Sequence, residues 1–396
     1  MVGYRSADSP VIYIYHRDHE HDRTYTENLV EHLASKGVLW RSIAVREDGL
    51  RPELQLSLDE NATAVLGYNS VLDHSWLPSG RFLEAAERCG VPVLQWILDR
   101  PSHRWMEFYA STSTNSRFLL NSEHERKYFN TYCLPGALTA TIGGVGPNQR
   151  SRIGTLPREA YLQRSIACMI PLGLRRYQST KQIEDTQNAL APPLSEVLRD
   201  AIAKAQFDLT GSLQSHVAAA LAASDQTVTN QTFHDLCRIV EQSVQTFRRL
   251  RIFKVAQKYP VLIQSDDSAA PFIGGAASLA TNVGMQYTLA QMPVCRAVVS
   301  VSPMNGMIHD RTMNAVNAGC VAIAEDNSAV KGLLRHKVNA LLFRYENDSL
   351  DECLDIVCNR PERAYEIAQA GLQLRDHPRM RFGEFDNILK LAIRRG

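Results

Sequence analysis

Five residues within ten positions carry groups that could bind a phosphorylated ligand. They are Asn305, Gly306, His309, Arg311 and Asn314. A guanidinium near the start of a helix and an amide one turn later could hold a diphosphate and a ribose hydroxyl. Arg311, Asn314 and Asn317 are spaced by three, which places them along one stripe of a helix. A solvated helix face has the same spacing, so this pattern alone leaves both interpretations open.

The elements around these residues are predicted to be a strand, a helix and a second, parallel strand. Residues 298–302 form the first strand, a helix runs over 311–318, and residues 321–324 form the second strand. Asp310 is the predicted N-cap, and Gly319 suits the left-handed position after the helix. Ligands of such units bind beyond the carboxyl ends of the strands, where the helix offers free N–H groups to a phosphate.

The run HDRTMNAVNAGCVAIAEDN, from His309 to Asn327, resembles a segment of a bacterial glycosyltransferase group. That group is related to the spore-protein CgeB/YkvP-like family, within the wider GT-B superfamily. The resemblance implies that this helix contacts the nucleotide of a nucleotide-sugar donor. Better-known retaining members carry a Glu-x7-Glu pair, and Gly306 and Asn314 stand at those two positions here. Asp326 matches an acidic position of the relatives, and a cap for a helix over 328–334 would explain it equally well.

A second run of the sequence, WILDRPSH at 96–103, follows a predicted strand and ends in an acid, a proline and a histidine. It resembles the pattern D-H-P-x-x-H of the same group, in which Asp99, Pro101 and His103 match and Arg100 departs. We predict Asp99 and His103 as catalytic residues, with Asp99 either a general base or the partner that orients His103. A loop-capping Asp99 and a His103 bonded to a backbone carbonyl are the alternative.

Two further loops carry candidate residues for the acceptor side. Positions 16–22 hold three histidines and three carboxylates directly after the first predicted strand, and His16 and Asp18 are the candidates there. The histidine spacing in that loop fits no strong metal-ligand pattern, so we predict no metal site. Gly143 and Gly144 could let backbone amides approach an anion or a sugar, or could form a tight turn.

Composition restricts the classes of partner and compartment. The 43 basic and 42 acidic residues nearly cancel, so the overall charge favours neither a nucleic acid nor an anionic membrane as partner. The apolar runs are shorter than the ~18 residues of a membrane span, and no signal sequence is recognisable. The eight cysteines show no CxxC pair, which indicates buried free thiols. We therefore expect a cytoplasmic protein without a membrane span.

The order of predicted elements indicates two α/β domains. Alternating strands and helices predict two Rossmann-like domains, over 1–155 and 156–378. The resemblance implies that the first is the acceptor-side domain and that the second binds the nucleotide sugar. The second domain includes a mainly helical segment, 180–259, and a predicted helix over 278–291, while 379–396 is a C-terminal helix. A glycine-rich loop is predicted over 139–148. Its spacing is not that of the dinucleotide fingerprint, which disfavours nicotinamide and flavin enzymes.

The fold class expected from the resemblance is therefore GT-B, with two Rossmann-like domains facing each other across a cleft. The function it implies is a metal-independent glycosyltransferase that moves a sugar from a nucleotide-diphosphate sugar to an unidentified acceptor hydroxyl. Its donor is a substrate, so no cofactor is expected. The absent Glu-x7-Glu pair leaves an alternative, an inactive protein that binds a nucleotide or glycan as a structural or regulatory subunit. Sugar-nucleotide epimerisation on the same architecture is a third hypothesis.

Overall fold

The computed structural model of the 396-residue chain describes most of it in two compact units. The first unit lies within Met1–Asn148 and Phe382–Gly396, and the second within Gln149–Arg381. The described residues are 11–17, 20–45, 62–68, 76–77, 80–98, 100–102, 114–143, 152–174, 180–302, 305–381 and 384–393.

The first unit is built on a parallel sheet in which the strands of the described chain follow the order β2-β1-β3-β6-β7-β8. These strands and a small antiparallel pair, β4 with β5, are β1 (Val11–Arg17), β2 (Leu39–Val45), β3 (Ala64–Tyr68), β4 (Trp76–Leu77), β5 (Gly80–Arg81), β6 (Val93–Ile97), β7 (Ser116–Leu120) and β8 (Leu138–Thr141). Every residue of β3, β6 and β7 is buried, as in a parallel sheet covered on both faces. The strand order places the topological switch between β1 and β3.

The helices of the first unit pack on this sheet. They are α1 (Glu20–Ser35), α2 (Phe82–Arg88) and α3 (Glu123–Tyr128), and α3 continues as a turn of π-helix over Phe129–Cys133. Ser122 caps α3, because its side chain accepts the Glu125 N–H. Near the chain end, Phe385 and Ile388 join the same core, and the His32 ring lies 3.0 Å from the Asp386 carboxylate. The helix near the C-terminus therefore belongs to the first unit.

The second unit is built on another parallel sheet, with the order β11-β10-β9-β12-β13-β14 among the described strands. Their bounds are β9 (Ile166–Pro171), β10 (Leu262–Ser265), β11 (Ser278–Thr281), β12 (Cys295–Ser300), β13 (Val321–Glu325) and β14 (Leu341–Phe343). Numbered from β9, this is the strand order 3-2-1-4-5-6 of the Rossmann fold. Its switch point lies between β9 and β12, which pair in register from Cys295 with Ile166 to Val298 with Met169.

The remaining helices cover the second sheet or form the segment inserted between β9 and β10, with one returning to the first unit. They are α4 (Arg158–Leu162), α5 (Thr180–Ala189), α6 (Pro192–Ala205), α7 (Leu213–Ala223), α8 (Asn230–Ala256), α9 (Met285–Gln291), α10 (Asp310–Asn317), α11 (Ser349–Asn359), α12 (Pro361–Leu372), α13 (Pro378–Arg381) and α14 (Asp386–Ile393). The helices α5 to α8 confirm the predicted helical segment, which we call the helical insertion. Within the described residues, no helix is long and apolar enough to cross a membrane.

Three predicted elements were wrong. The helix expected over 278–291 is the strand β11 followed by α9, because Asn282 has φ +54° and interrupts any continuous helix. The helix expected over 328–334 is a series of turns, in which Gly332 has φ +77°. The first residues of the predicted loop over 139–148 belong to β8, which pairs with β7. Each of these two strands is only four residues long, which is too short for the sequence pattern to identify it as a strand, and this explains the errors at β8 and β11.

Candidate functional site

The strand order of the second unit indicates where a ligand would bind. In open parallel sheets, ligands lie beyond the carboxyl ends of the strands at the topological switch point. The two chain segments that leave the sheet there are the residues after β9, starting at Leu172, and the residues after β12, starting at Val301. The second of these segments leads into α10, whose first turn carries the predicted phosphate-binding residues.

The first turn of α10 is capped by His309, and the prediction that Asp310 is the N-cap was wrong. The Nδ1 atom of His309 accepts the Arg311 N–H at 3.1 Å, which satisfies one of the free amides of the first turn. Asp310 is instead the first helical residue, and its carboxylate also pairs with His309 Nδ1. Burial alone would raise the pKa of Asp310, but the neighbouring His309 and Arg311 lower that pKa below its usual value.

The shared Nδ1 atom of His309 has two alternative partners. As an acceptor it takes the Arg311 N–H, and as a donor it gives its proton to the Asp310 carboxylate. In the second state the Asp310 carboxylate can take over the Arg311 N–H, since Arg311 also donates a backbone bond to it. The Arg311 N–H therefore has an acceptor whichever of the two partners Nδ1 takes.

The stripe of polar residues along α10 is not a solvated helix face. Arg311 is half-buried, whereas Asn314 and Asn317 are 1% and 2% exposed. The polar stripe of α10 is therefore buried, whereas the polar face of a surface helix is solvated. The expected left-handed residue after the helix is confirmed, because Gly319 has φ +63°.

Asn305 uses its side-chain amide within the protein. Its Nδ2 donates to the carbonyl oxygens of Asp208 at 2.9 Å and Gly211 at 2.7 Å, and its Oδ1 accepts from Arg248 Nη1 at 3.1 Å. These bonds join the segment after β12 to the helical insertion. Gly306 follows with φ +79°, a conformation that favours glycine. A glutamate at this position would be strained. The structure thus gives Asn305 a connecting role that the sequence did not indicate.

A buried carboxylate that the sequence analysis overlooked lies at the end of β13. Glu325 is 2% exposed, and its Oε2 accepts the Ser302 N–H at 2.8 Å while its Oε1 accepts from the Tyr345 hydroxyl at 2.8 Å. Arg248, itself fully buried, lies 3.8 Å from Oε1. Asp326, the acid chosen from the sequence, pairs instead with Arg344 at the surface. Asp326 does not cap the residues that follow; Asn327 accepts the Ala329 N–H at the start of the turns there.

A similar contact holds the segment after β9. Asp266, the residue after β10, accepts the Leu174 N–H on its Oδ2 at 2.7 Å. A Cβ atom added to Gly173 would lie 3.2 Å from the same oxygen, so the backbone passes close to this carboxylate. Neither Asp266 nor Gly173 belongs to a motif that spacing could have revealed, because the contact joins segments about ninety residues apart.

A small cavity of about 10 Å³ lies between β12, β13 and the start of α10. Its lining includes Ser300, His309, Thr312 and Glu325. Ser300 is 2% exposed, and its Oγ has no hydrogen-bond partner within the part of the chain that the structure describes. A cavity of this size holds about one water molecule, so a water or one ligand hydroxyl would satisfy this group.

Several predicted residues of the first unit lie outside the described residues, namely Asp18, Asp99, His103 and Gly144. His16 is described and is 7% exposed; its ring nitrogens contact the Arg17 carbonyl at 2.8 Å and the Ser42 hydroxyl at 2.9 Å. Both nitrogens are thus used within the protein. Gly143 has φ +65°, which fits the predicted turn. Among the described residues, no cluster of histidine, cysteine and acidic side chains could hold a metal ion.

The strand that leads to position 99 is held in place by Asn121, which the sequence analysis did not identify as functional. Asn121 is 3% exposed and lies just after β7. Its Nδ2 donates to the Ile97 and Leu98 carbonyls, each at 3.1 Å, and its Oδ1 accepts from Trp96 Nε1 at 3.1 Å. This amide fixes the carboxyl end of β6, where the chain enters the predicted catalytic run.

Of the comparisons with known proteins, only that with solved structures finds matches. No protein-family model matches the sequence, and a search of curated proteins finds no match. Among solved structures, the DNA-modifying enzyme β-glucosyltransferase has a TM-score of 0.54 at 8% identity, covering 97% of this chain and 99% of that one. The T4 phage β-glucosyltransferase in complex with its UDP-glucose substrate has a TM-score of 0.52 at 8% identity, with the same coverage. Sucrose-phosphate synthase from Thermosynechococcus elongatus has a TM-score of 0.47 at 12% identity, covering 97% and 96%.

The chain therefore has the GT-B fold, with two Rossmann-like domains, as the sequence predicts. At 8% identity the likeness extends to the fold and not to individual residues.

Proposed function

We propose that the protein is a glycosyltransferase that transfers a sugar from a nucleotide-diphosphate sugar to an acceptor hydroxyl without a metal ion. The observation that carries this proposal is the placement of the capped start of α10, with His309 and Arg311, directly after β12 at the switch point. The start of a helix binds anions through free amides and the positive end of the helix dipole. Two solved structures with the same fold are β-glucosyltransferases, and one of them holds UDP-glucose.

The donor diphosphate would lie at the first turn of α10. There Arg311 would donate to phosphate oxygens, and the His309 ring would donate through Nε2 while its Nδ1 accepts the Arg311 N–H. These donors would stabilise the diphosphate as it leaves, which is electrostatic catalysis by groups already in position. Gly306 would let the backbone approach the sugar. Asn314, which is buried one turn after Arg311, remains only a prediction for the nucleoside.

The acceptor hydroxyl would be activated by the run after β6. In an inverting reaction, Asp99 would take the proton of the acceptor hydroxyl while the oxygen of that hydroxyl forms a bond to the anomeric carbon. The bond between that carbon and the phosphate oxygen breaks, and the nucleotide diphosphate leaves with the electron pair. His103 would serve as the base or as the partner of Asp99. His16, Asp18, Gly143 and Gly144 remain candidates for the acceptor side, and a cytoplasmic location and kinship with the CgeB/YkvP-like group remain predictions.

A second candidate function is a GT-B protein that binds a nucleotide or glycan without turnover. It is favoured by Gly306 and Asn314, which stand where retaining relatives are expected to carry two glutamates. Both functions predict nucleotide binding, and only the first predicts cleavage of the donor.

Incubation with UDP-, GDP- and TDP-glucose separates these functions. A glycosyltransferase should release free nucleotide slowly by transfer of the sugar to water, and the release should fall in Arg311→Ala. Binding without release, with and without acceptor sugars, would support the inactive binder. Conversion of the donor to an isomeric sugar nucleotide without acceptor would indicate an epimerase, and the absence of both binding and release would contradict the proposal.

A further inference from the structure

Two carboxylates hold the segments on either side of the switch point in the second unit. Asp266 accepts the Leu174 N–H after β9, and Glu325 accepts the Ser302 N–H after β12. In the sheet order β10-β9-β12-β13, Asp266 follows the outer neighbour of β9 and Glu325 ends the outer neighbour of β12. Each segment is therefore tied to the strand on its outer side.

These two hydrogen bonds fix the backbone on both sides of the switch point. A backbone amide bonded to an outer carboxylate is fixed in direction, and the chain that follows it starts from a fixed point. The two segments that leave the switch point are thus held on its two sides. A ligand that enters between them finds its backbone contacts already oriented, which reduces the entropy lost on binding.

The buried Glu325 carboxylate is paired with the helical insertion. Arg248 of α8 lies 3.8 Å from Glu325 Oε1, and its guanidinium also bonds to the carbonyls of Ala205 and Asp208. The Tyr345 ring stacks at 5.2 Å from this guanidinium, and its hydroxyl donates to Glu325. Burial beside this acid raises the pKa of Tyr345, so the phenol remains a donor. A buried acid persists only with such partners.

We propose that Asp266 and Glu325 are positioning residues of the nucleotide-sugar site. This inference rests on the proposed function and identifies residues that act through the backbone amides of Leu174 and Ser302. Glu325 acts together with Arg248 and Tyr345, so the helical insertion contributes to the shape of the site from a distance. Their role is distinct from that of Arg311, which would touch the donor itself.

The mildest test removes one hydroxyl. Tyr345→Phe deletes the donor to Glu325 and keeps the ring over Arg248, whereas Glu325→Ala would leave Arg248 buried without its acid and could prevent folding. The matched control is Tyr161→Phe. Tyr161 is buried in the same core, and its hydroxyl donates to the Arg296 carbonyl at 2.9 Å near the start of β12. Both variants lose one buried phenol hydroxyl, and only one of them touches Glu325.

Hydrogen exchange of the ligand-free protein gives the first readout. Tyr345→Phe should speed exchange of the amides of Ser302 and of residues 305–309 by about tenfold, the effect of losing one hydrogen bond to a charged group. Tyr161→Phe should leave those amides unchanged. Asp266→Ala should in the same way speed exchange at Leu174. Equal exchange at residues 302–309 in the two tyrosine variants, or no change in either, would overturn the inference.

UDP titration gives the second readout. Tyr345→Phe should weaken UDP binding several-fold. Tyr161→Phe, with a melting temperature similar to that of Tyr345→Phe, should bind UDP as the wild type does. Loss of UDP affinity in proportion to melting temperature in both variants would assign Glu325 to stability alone. A wild type that binds no nucleotide would count against the proposed function, while the exchange measurement would still decide whether the two carboxylates hold the segments.

Discussion

At the scale of single residues, neighbouring acids in the sequence have different roles in the structure. Glu325 is buried and bonds to Ser302 and Tyr345, while Asp326 pairs with Arg344 at the surface. Asp326 was predicted because it matches an acidic position of the group that the sequence resembles. Glu325 matches no such position, and its burial at the end of β13, a strand in which every residue is buried, appears only in the structure.

The part of the site that could be predicted from sequence is local. The helix that carries Arg311 and the left-handed Gly319 follow from residue types within a few positions. Asp266, Glu325 and Asn121 could not be found in this way, because their partners lie 92, 23 and 24 residues away. Such contacts depend on strand order, which a single sequence does not contain.

Asn121 provides a prediction about catalysis. Asn121→Ala should lower the turnover rate more than the donor affinity, because it releases the carbonyls of Ile97 and Leu98 just before Asp99. It should also cost about 1–3 kcal/mol in stability, since the Trp96 N–H loses its buried acceptor. Steady-state kinetics with unfolding curves would measure both effects.

The control for this variant is Asn130→Ala. Asn130 donates to the Thr139 hydroxyl at 2.9 Å in the same unit and should affect stability without a specific loss of turnover. Equal turnover in wild type and Asn121→Ala would remove Asn121 from the positioning of the catalytic run.

Asp208 provides a prediction about pH. Burial raises the pKa of Asp208, but bonds from the Thr210 and Gly211 amides and from His216 outweigh it and lower the pKa from 3.8 to about 2. A lowered pKa in the folded state adds stability above the usual pKa, and this stability is lost as the pH falls from about 4 to about 2. Wild type should therefore be more stable than Asp208→Asn at pH 6, with the gap shrinking toward pH 3.

Urea unfolding at several pH values would measure this gap. A difference in the free energy of unfolding that stays constant between pH 6 and pH 3, or that grows on acidification, would show that the charged form of Asp208 does not stabilise the fold.

At the scale of elements, α10 is held at its end as closely as at its start. Arg164 donates to the carbonyls of Ala318 at 3.0 Å, Gly319 at 2.9 Å and Cys295 at 2.6 Å. A guanidinium at this end satisfies free carbonyls and opposes the negative end of the helix dipole. The Ile153 N–H also donates to the Asn317 carbonyl. The helix that carries the proposed phosphate site is therefore fixed relative to β12.

Gly319 tests how tightly this end is packed. A Cβ at Gly319 would lie 2.5 Å from Ile153 Cδ1 and 3.0 Å from Leu156 Cδ1, and its φ of +63° also disfavours alanine. Gly319→Ala should cost about 1–2 kcal/mol for the backbone and about 1–3 kcal/mol for overpacking.

Gly332→Ala is the matched control in the same unit, because Gly332 has φ +77° and no atom within 4 Å of an added Cβ. It should show only the backbone cost. Equal losses in the free energy of unfolding in the two variants, measured with denaturant, would mean that Ile153 and Leu156 move to accommodate the added methyl group at no cost.

At the scale of the whole molecule, two parallel sheets with different strand orders give each unit its own switch point. The first unit switches between β1 and β3 and the second between β9 and β12. Alternating strand and helix patterns are local, and they predicted two α/β domains, while the GT-B class came from the family resemblance. The candidate site could not be predicted from local patterns, because the switch point of the second unit combines residues from the ends of four strands. The central claim is that a nucleotide diphosphate binds there, at the start of α10.

The most direct test is calorimetric titration of UDP-glucose, with GDP- and TDP-glucose in parallel, into wild type, Arg311→Ala and Arg238→Ala. Arg238 forms an exposed ion pair with Asp235 on α8 and serves as the control for loss of one arginine. We predict that Arg311→Ala weakens binding by about 1.5–3 kcal/mol, the value of a charge-assisted bond to phosphate, with the melting temperature nearly unchanged. Arg238→Ala should bind as the wild type does. Equal donor affinity in wild type and Arg311→Ala would contradict the account.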